Sequence, residues 1–307
     1  MNKTIFQKKF FLPALLLLLP QLLIVSLAIA QAELKRQVVL AADDTAMLPH
    51  APIGFDKKRD NIERGKTDSV QYYSTTVGST RKLLIYTPPG YTPTKQYPVL
   101  YLLHGIGGTE KEWYKYAEPN VILDNLYADG KVVPMIVVYP NGRAMKNDSD
   151  TGNIFAAEKV QAFANFENDL LNDVIPYVEA HYPVIKNRES RALAGYSMGG
   201  GQSLNFGLGH MDTFAYVGGF SSAPNSKKPA ELVPNPAETI QKVKLLYLSC
   251  GDKDGLISFN QGLHRYLKEH NVPHIWEVVP GVHNMDVWVN DLYLFSQRIF
   301  MPVLKGS

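Results

Sequence analysis

From Val70 onward the chain alternates between short apolar runs and amphipathic stretches of helical length. QYYSTTVG and RKLLIYTP flank Gly78-Ser79 and read as two strands joined by a turn. VLYLLHG (99–105) and PMIVVYPNG (134–142) are apolar on both faces of the pleat, with a helical stretch over about 118–129 between them. In FENDLLNDVIPYVEAHY (166–182), Phe166, Leu170, Leu171, Val174, Ile175 and Val178 recur at helical spacing. RALAGYS returns to a strand and MGGGQSLNFGLGH to a helix. AYVGGFSSA, KLLYLSCG and IWEVVPG read as further strands, SFNQGLHRYLKEH and MDVWVNDLYLFSQRIF as helices. Short, wholly apolar strands separated by helices predict an α/β fold: a mostly parallel central sheet with helices on both faces, its first two strands an antiparallel edge. Residues 70–300 show neither an internal repeat nor a Pro- or Ser-rich linker, so 70–307 reads as one domain. Residues 31–69 are polar and irregular, rich in Pro, Gly and charge, and read as an arm or linker.

The first thirty residues carry a different pattern. Lys3, Lys8 and Lys9 precede an uncharged apolar run from Phe10 to Ala30, which closes on Ala28-Ile29-Ala30. A basic start, an apolar run and a small-x-small end predict a secretory signal peptide and a secreted or periplasmic body. An uncleaved membrane anchor is the alternative; Pro13, Pro20 and the Ala-x-Ala end favour cleavage. With 31 Lys and Arg against 29 Asp and Glu, the 307-residue chain has a net charge of +2, which turns slightly negative once the leader lysines are removed. A near-neutral body argues against a nucleic-acid partner bound by phosphate neutralisation. No second long apolar run predicts a membrane contact for the mature body. Cys250 is the single cysteine, which excludes an internal disulfide and any cysteine-built metal centre; no metal ligand set is read.

Gly195-Tyr196-Ser197-Met198-Gly199 fits G-x-S-x-G, placed where a strand gives way to a helix. Such a turn needs glycines beside the serine because side chains there would strike neighbouring backbone, and it lifts the hydroxyl above the sheet. A buried serine in a glycine-rich turn is the bland alternative. A serine hydroxyl is a weak nucleophile and needs a base. Of the histidines after it, His264 and His270 fall on a helix and His274 at the wrong end of a strand. His283 follows IWEVVP at a strand's carboxyl end, where open α/β sheets build their sites. The acid belongs in the loop after KLLYLSCG, where Asp252 and Asp254 are equally placed and one of them has a turn-forming role. Two backbone donors are expected for the oxyanion: Met198 N–H, and Ile106 N–H in the loop HGIGGTEKEW. That loop lacks a Gly-Lys-Ser/Thr ending and so is not a nucleotide loop; His104 in it reads as structural. Trp113 and Trp288, with Tyr114 and Tyr196, are candidates to line an apolar slot for an aromatic group, against core packing as the plainer role.

LLHGIGG, GYSMGG, GDKD and GVHNMDVW together resemble the esterase D-like α/β-hydrolases, and most of all the feruloyl esterases of carbohydrate esterase family one, modules found beside xylanases. The similarity runs from about Asp60 to Phe300 and includes RKLLIYTPPGY, YPVLYLLHGIGG, FENDLLNDVIPYVE and LAGYSMGGGQSLNFGL. The resemblance implies an α/β-hydrolase fold, Ser197 as nucleophile, Asp254 rather than Asp252 as acid, His283 as base, Ile106 and Met198 as oxyanion donors, and no cofactor. It implies a secreted esterase that cleaves hydroxycinnamate esters of plant-wall xylan through an acyl-enzyme, its partner a feruloylated polysaccharide or oligosaccharide. Acetylated xylan or a siderophore lactone as substrate, acyl transfer on the same scaffold, and a non-catalytic binding protein are the competing expectations.

Overall fold

A computed structural model describes residues 38–301. The leader expected over residues 1–30 lies outside the described residues, as does the start of the segment read as an arm. Eight strands form one sheet: β1 (Lys66–Ser74), β2 (Ser79–Thr87), β3 (Val99–Leu103), β4 (Ile136–Pro140), β5 (Arg191–Tyr196), β6 (Tyr216–Phe220), β7 (Leu245–Gly251) and β8 (Ile275–Val279). Their spatial order is β1-β2-β4-β3-β5-β6-β7-β8. β1 and β2 run antiparallel, as do β2 and β4, and the remaining pairs are parallel. The α/β fold, its mostly parallel sheet and its antiparallel edge are those the apolar pattern predicts.

The helices are α1 (Glu112–Tyr116), α2 (Pro119–Ala128), α3 (Ala157–Asp169), α4 (Ile175–His181), α5 (Met198–Gly209), α6 (Pro229–Leu232), α7 (Pro236–Lys242), α8 (Ile257–Glu269) and α9 (Met285–Ser296). They cover both faces because successive strand side chains point to opposite sides. Leu100, Leu102 and Val137 pack with Ile122 and Leu126 of α2 and with Leu292 and Phe295 of α9. Tyr101, Leu103, Val138 and Leu193 pack on the other side with Phe166 of α3, Val178 of α4 and Phe206 of α5. Val217, Leu246 and Leu248 continue that side against Leu204 of α5 and Leu263 and Leu267 of α8. The chain steps from β3 outward to β4 and back past it to β5, so the sheet reverses its direction of growth at β3. The carboxyl ends beside such a reversal open a crevice, and the site lies there.

The helix expected over 166–182 departs from the pattern in two ways. It begins earlier, at Ala157, and it widens into a π turn over Leu170–Val174. Pro176 follows directly; it has no N–H for the carbonyl one turn back, and its ring would crowd that carbonyl in a regular helix. Two carboxylates on this segment reach the β1–β2 hairpin. Asp169 pairs with Arg81 and accepts the Tyr72 hydroxyl at 2.6 Å. Asp173 accepts the N–H groups of Thr75 and Thr76 at 2.9 and 3.0 Å, which fixes the hairpin turn.

β1 begins at Lys66, ahead of the apolar pattern at Val70. An edge strand needs only backbone pairing, and its polar first residues pair with Ile85–Thr87 while staying largely in water. Residues 38–65 are irregular but anchored on the sheet and its helices. Val278 N–H donates to the Thr45 carbonyl along the outer edge of β8, and Trp276 Nε1 donates to Asp44 at 3.0 Å. Glu277, fully buried on β8, accepts the N–H groups of Met47 and Leu48 at 2.9 and 3.1 Å. Farther on, Asn125 of α2 donates to the carbonyls of Phe55 and Lys57. The segment thus covers a sheet edge that would otherwise offer unpaired backbone groups. Among the described residues no helix is long and apolar enough to cross a membrane.

Candidate active site

β5 runs into Ser197, whose backbone sits at φ 54°, ψ −121°, a conformation that side chains disfavour. The strain is held from three sides. Ser197 N–H donates to Phe220 O of β6 at 2.9 Å, and Ser197 O accepts the N–H groups of Gly201 and Ala223, each at 3.0 Å. The glycines of the motif are needed for close approach. A Cβ on Gly195 would lie 2.8 Å from the Gly199 backbone, and one on Gly199 would lie 2.5 Å from His104 O. The turn therefore brings the N-terminus of α5 against the end of β3 and leaves Ser197 at the sheet's rim.

His283 lies in the loop after β8. Its Nε2 stands 2.9 Å from Ser197 Oγ and its Nδ1 2.8 Å from Asp254 Oδ2. An ionised carboxylate only accepts, so Nδ1 carries the proton and Nε2 presents its lone pair to the serine hydroxyl. Asp254 is fully buried and accepts Leu256 N–H on its other oxygen at 2.8 Å. Burial pushes its carboxyl up, but the hydrogen bonds from His283 and from Leu256 N–H outweigh it and hold the group below its ordinary value. The line Ser197–His283–Asp254 can accept a proton from the hydroxyl and stabilise the imidazolium that results.

Asp252, the other acid in the loop, does separate work. Its carboxylate accepts Gly281 N–H at 2.8 Å, and Asp252 N–H donates to Val279 O at 2.8 Å, tying the acid loop to the histidine loop. Close approach of these loops requires Gly251, where a Cβ would fall 2.6 Å from Gly281 O. The other histidines weighed as the base lie elsewhere. His264 and His274 bond each other at 2.8 Å, with His264 also near Asp43 of the N-terminal segment; His270 bonds the Tyr266 carbonyl.

Met198 is the first residue of α5, and its N–H has no intrahelical acceptor. Ile106 lies in the loop after β3 and packs on an apolar cluster of Phe163, Met198, Ala223 and Leu256. The aromatic residues named as candidates for a slot are packed as follows. Trp113 is 1% exposed, with Nε1 donating to Leu103 O at 3.2 Å, and its ring meets Tyr196 edge-on. Tyr114 bonds Thr67 and packs on Tyr139. Trp288 is 8% exposed, stacks on Tyr196 with centroids 4.0 Å apart and meets His283 edge-on at 4.9 Å. Trp113 and Trp288 are thus buried on Tyr196, one edge-on and the other stacked, with Trp288 against the His283 ring. Sequence reasoning passed over Arg143 and Gln202, both buried near the crevice. Gln202 Nε2 donates to Gly142 O and Phe163 O at 2.8 and 2.7 Å. The one signal for Arg143 was its place at the carboxyl end of β4.

The family described as putative esterase matches residues 74–298. The chain is 31% identical over 223 residues to an endo-1,4-beta-xylanase/feruloyl esterase of Xylanibacter ruminicola, covering 70% of this chain and 29% of that protein. It therefore spans under a third of that relative's length. An acetyl esterase of Caldicellulosiruptor saccharolyticus is 22% identical over 223 residues, covering 62% of this chain and 78% of its own. Among solved structures, a CE1 ferulic acid esterase of Anaeromyces mucronatus in complex with ferulic acid superposes with a TM-score of 0.73 at 28% identity, over 85% of this chain and 98% of that one. A strained serine at a strand-to-helix turn, a histidine and an aspartate in line with it, and this match across most of the body have one reading: the chain belongs to the putative esterase family, carboxylic ester hydrolases of the α/β-hydrolase fold.

Proposed function

We propose that the protein is an exported serine esterase that cleaves hydroxycinnamate esters, such as feruloyl groups, from xylan or its oligosaccharides. The observation that carries the catalytic part is the continuous hydrogen-bonded line from Ser197 through His283 to Asp254. In the first step Ser197 Oγ attacks the ester carbonyl carbon while His283 Nε2 takes its proton. Met198 and Ile106 N–H stabilise the oxyanion. The bond to the sugar oxygen then breaks, and His283 returns the proton to that leaving oxygen. A water molecule, deprotonated by the same nitrogen, attacks the acyl-serine; the bond to Ser197 Oγ breaks as His283 returns the proton to it, and the free acid leaves.

The substrate class is supported by the feruloyl-esterase relatives and by the apolar group of Ile106, Phe163, Met198, Ala223 and Leu256 beside the nucleophile, which suits an acyl group with a ring. Export is supported by the basic and then apolar pattern of residues 1–30. The acetyl-esterase relative favours a second reading, deacetylation of xylan by the same residues. One panel separates the two: turnover of methyl ferulate, acetylated xylan and feruloylated arabinoxylan oligosaccharides by the purified protein. Ferulate release with little acetate release is expected. Acetate release without ferulate release transfers the assignment to the second reading. A folded sample in which a fluorophosphonate fails to label Ser197 sinks both.

A further inference from the structure

The loop that carries Ile106 is gripped from beneath by two buried side chains that the reaction above leaves without a role. His104 is 1% exposed. Its Nε2 accepts Gly142 N–H at 2.9 Å, which places the ring proton on Nδ1, and Nδ1 donates to the Gly105 carbonyl at 2.7 Å. Arg143 is fully buried and donates to the Ile106 carbonyl at 2.8 Å, to the Gly108 carbonyl, and to the Asp148 carbonyl at 3.2 Å. Phe163 packs against both, edge-on to the imidazole at 6.0 Å and under the guanidinium at 5.7 Å. The described peptide bonds are all trans. In a trans unit the N–H points away from the carbonyl, so holding the Gly105 carbonyl sets the direction of Ile106 N–H.

We propose that His104 and Arg143 are positioning residues for the oxyanion site: His104 aims the Ile106 N–H, and Arg143 holds the rest of the loop by its carbonyls. The inference rests on the esterase reading. The Gly105 carbonyl also accepts Gly108 N–H at 3.1 Å, a bond within the loop itself; His104 and Arg143 tie that turn to the body of the protein, and without them a site that must meet a developing charge without rearranging loses part of its advantage. His104 also registers the two halves of the site, since its own carbonyl lies against Gly199 in the first turn of α5, where Met198 supplies the second donor. Burial, with the nearby Arg143 charge adding to it, holds the His104 imidazole down at about 4, so the ring stays neutral and keeps the Nε2 lone pair that Gly142 needs.

The variants His104→Gln and His104→Asn divide the two functions of the ring. Gln presents a polar atom near Nε2 but no donor near Nδ1, whereas the shorter Asn amide reproduces the donor to Gly105. His104→Gln should lower kcat about 100-fold, the loss typical of one oxyanion donor, with KM within about threefold. Its affinity for a trifluoromethyl ketone, which forms a tetrahedral adduct on Ser197, should fall in proportion. His104→Asn should recover most of both, and Arg143→Lys should lose roughly tenfold in kcat because one ammonium replaces a fork of donors. Equal losses in Gln and Asn that merely follow the melting temperature would overturn the proposal, as would a Gln variant with unchanged kcat. A measurement on the unmutated protein covers the case of variants that do not fold. Adduct formation should shift the amide resonance of Ile106 and the Nδ1 proton of His104; an Ile106 amide that does not respond also rejects the idea. Failure of the wild-type serine to be labelled by a fluorophosphonate marks failure of the esterase reading instead.

Discussion

Asp254 and Asp291 are both fully buried on the same half of the sheet, and they are held in opposite states. Asp254 has a hydrogen-bond donor on each oxygen, His283 on one and Leu256 N–H on the other, and its carboxyl lies below the ordinary value. Asp291, on α9 against β7, accepts the Tyr247 hydroxyl at 3.0 Å on one oxygen, while the other has no partner among the described residues. Burial pushes its carboxyl up to about 8, Glu277 nearby adds to the rise, and the hydrogen bond from Tyr247 offsets only part of it. Neither carboxyl touches solvent, and Asp254 stays low because donors on both oxygens offset a burial that at Asp291 is opposed by fewer of them. A catalytic acid has to stay ionised to support an imidazolium; a packing aspartate under the same helix layer has no such requirement.

The two states respond to pH with opposite sign. Asp254, with its folded value depressed, stabilises the protein above the ordinary carboxylate range, and that contribution is lost as pH falls through the folded value. Asp291, with its folded value raised from 3.8 to about 8, stabilises least at high pH. Between those values the unfolded chain has released a proton that the folded chain retains, so stability falls by up to about 1.4 kcal/mol per pH unit as pH rises.

The largest expected effect removes the proton path itself. Ser197→Ala and His283→Ala should each lower kcat by about 10⁴- to 10⁶-fold, measured on methyl ferulate, while both proteins remain folded. His283→Ala should also turn Asp254 into a second Asp291. With one donor gone, its carboxyl rises and the variant loses more stability at pH 8 than at pH 5, read from melting curves at the two values. Next, Asp254→Asn should cost about 10⁴-fold in kcat, because the amide forces the wrong imidazole tautomer. Asp252→Asn, which keeps an acceptor for Gly281 N–H, should cost less than about tenfold; a reversed ranking of the two would place the acid at 252. A smaller effect is expected from Asp291→Asn. It should raise the melting temperature by several degrees at pH 8 and by little at pH 4, and an unchanged difference across that range would show Asp291 to be ionised. Tyr247→Phe is the mildest, about 1 kcal/mol of stability, since it removes one buried hydrogen bond.

The contrast also marks how far the residues could be read in advance. GDKD offered two aspartates at equal spacing, and the resemblance to known esterases favoured the second. The structure shows why they differ: a shift of two positions along a turn directs one carboxylate at His283 Nδ1 and the other at the Gly281 backbone. Trp113 and Trp288 were legible as aromatic residues near the motifs, with core packing as the plainer role; that both meet Tyr196, and Trp288 the His283 ring, depends on contacts between distant segments. The helix start at Ala157 was hidden because Lys159 and Gln161 break the apolar pattern, and the π turn because Pro176 acts through geometry rather than hydrophobicity.

What the sequence determined alone are the properties that neighbouring residues share: wholly apolar strands, the helices that alternate with them, glycines beside a serine at the change from one to the other, and a histidine just past a strand. Those follow from local sterics and from burial on one or both faces, which leave a periodic trace. Only the tertiary structure decided which carboxylate is charged, which carbonyls His104 and Arg143 hold, and what covers the edge of β8. These depend on distances between segments far apart along the chain, and on the desolvation and hydrogen bonding that arise only when those segments meet.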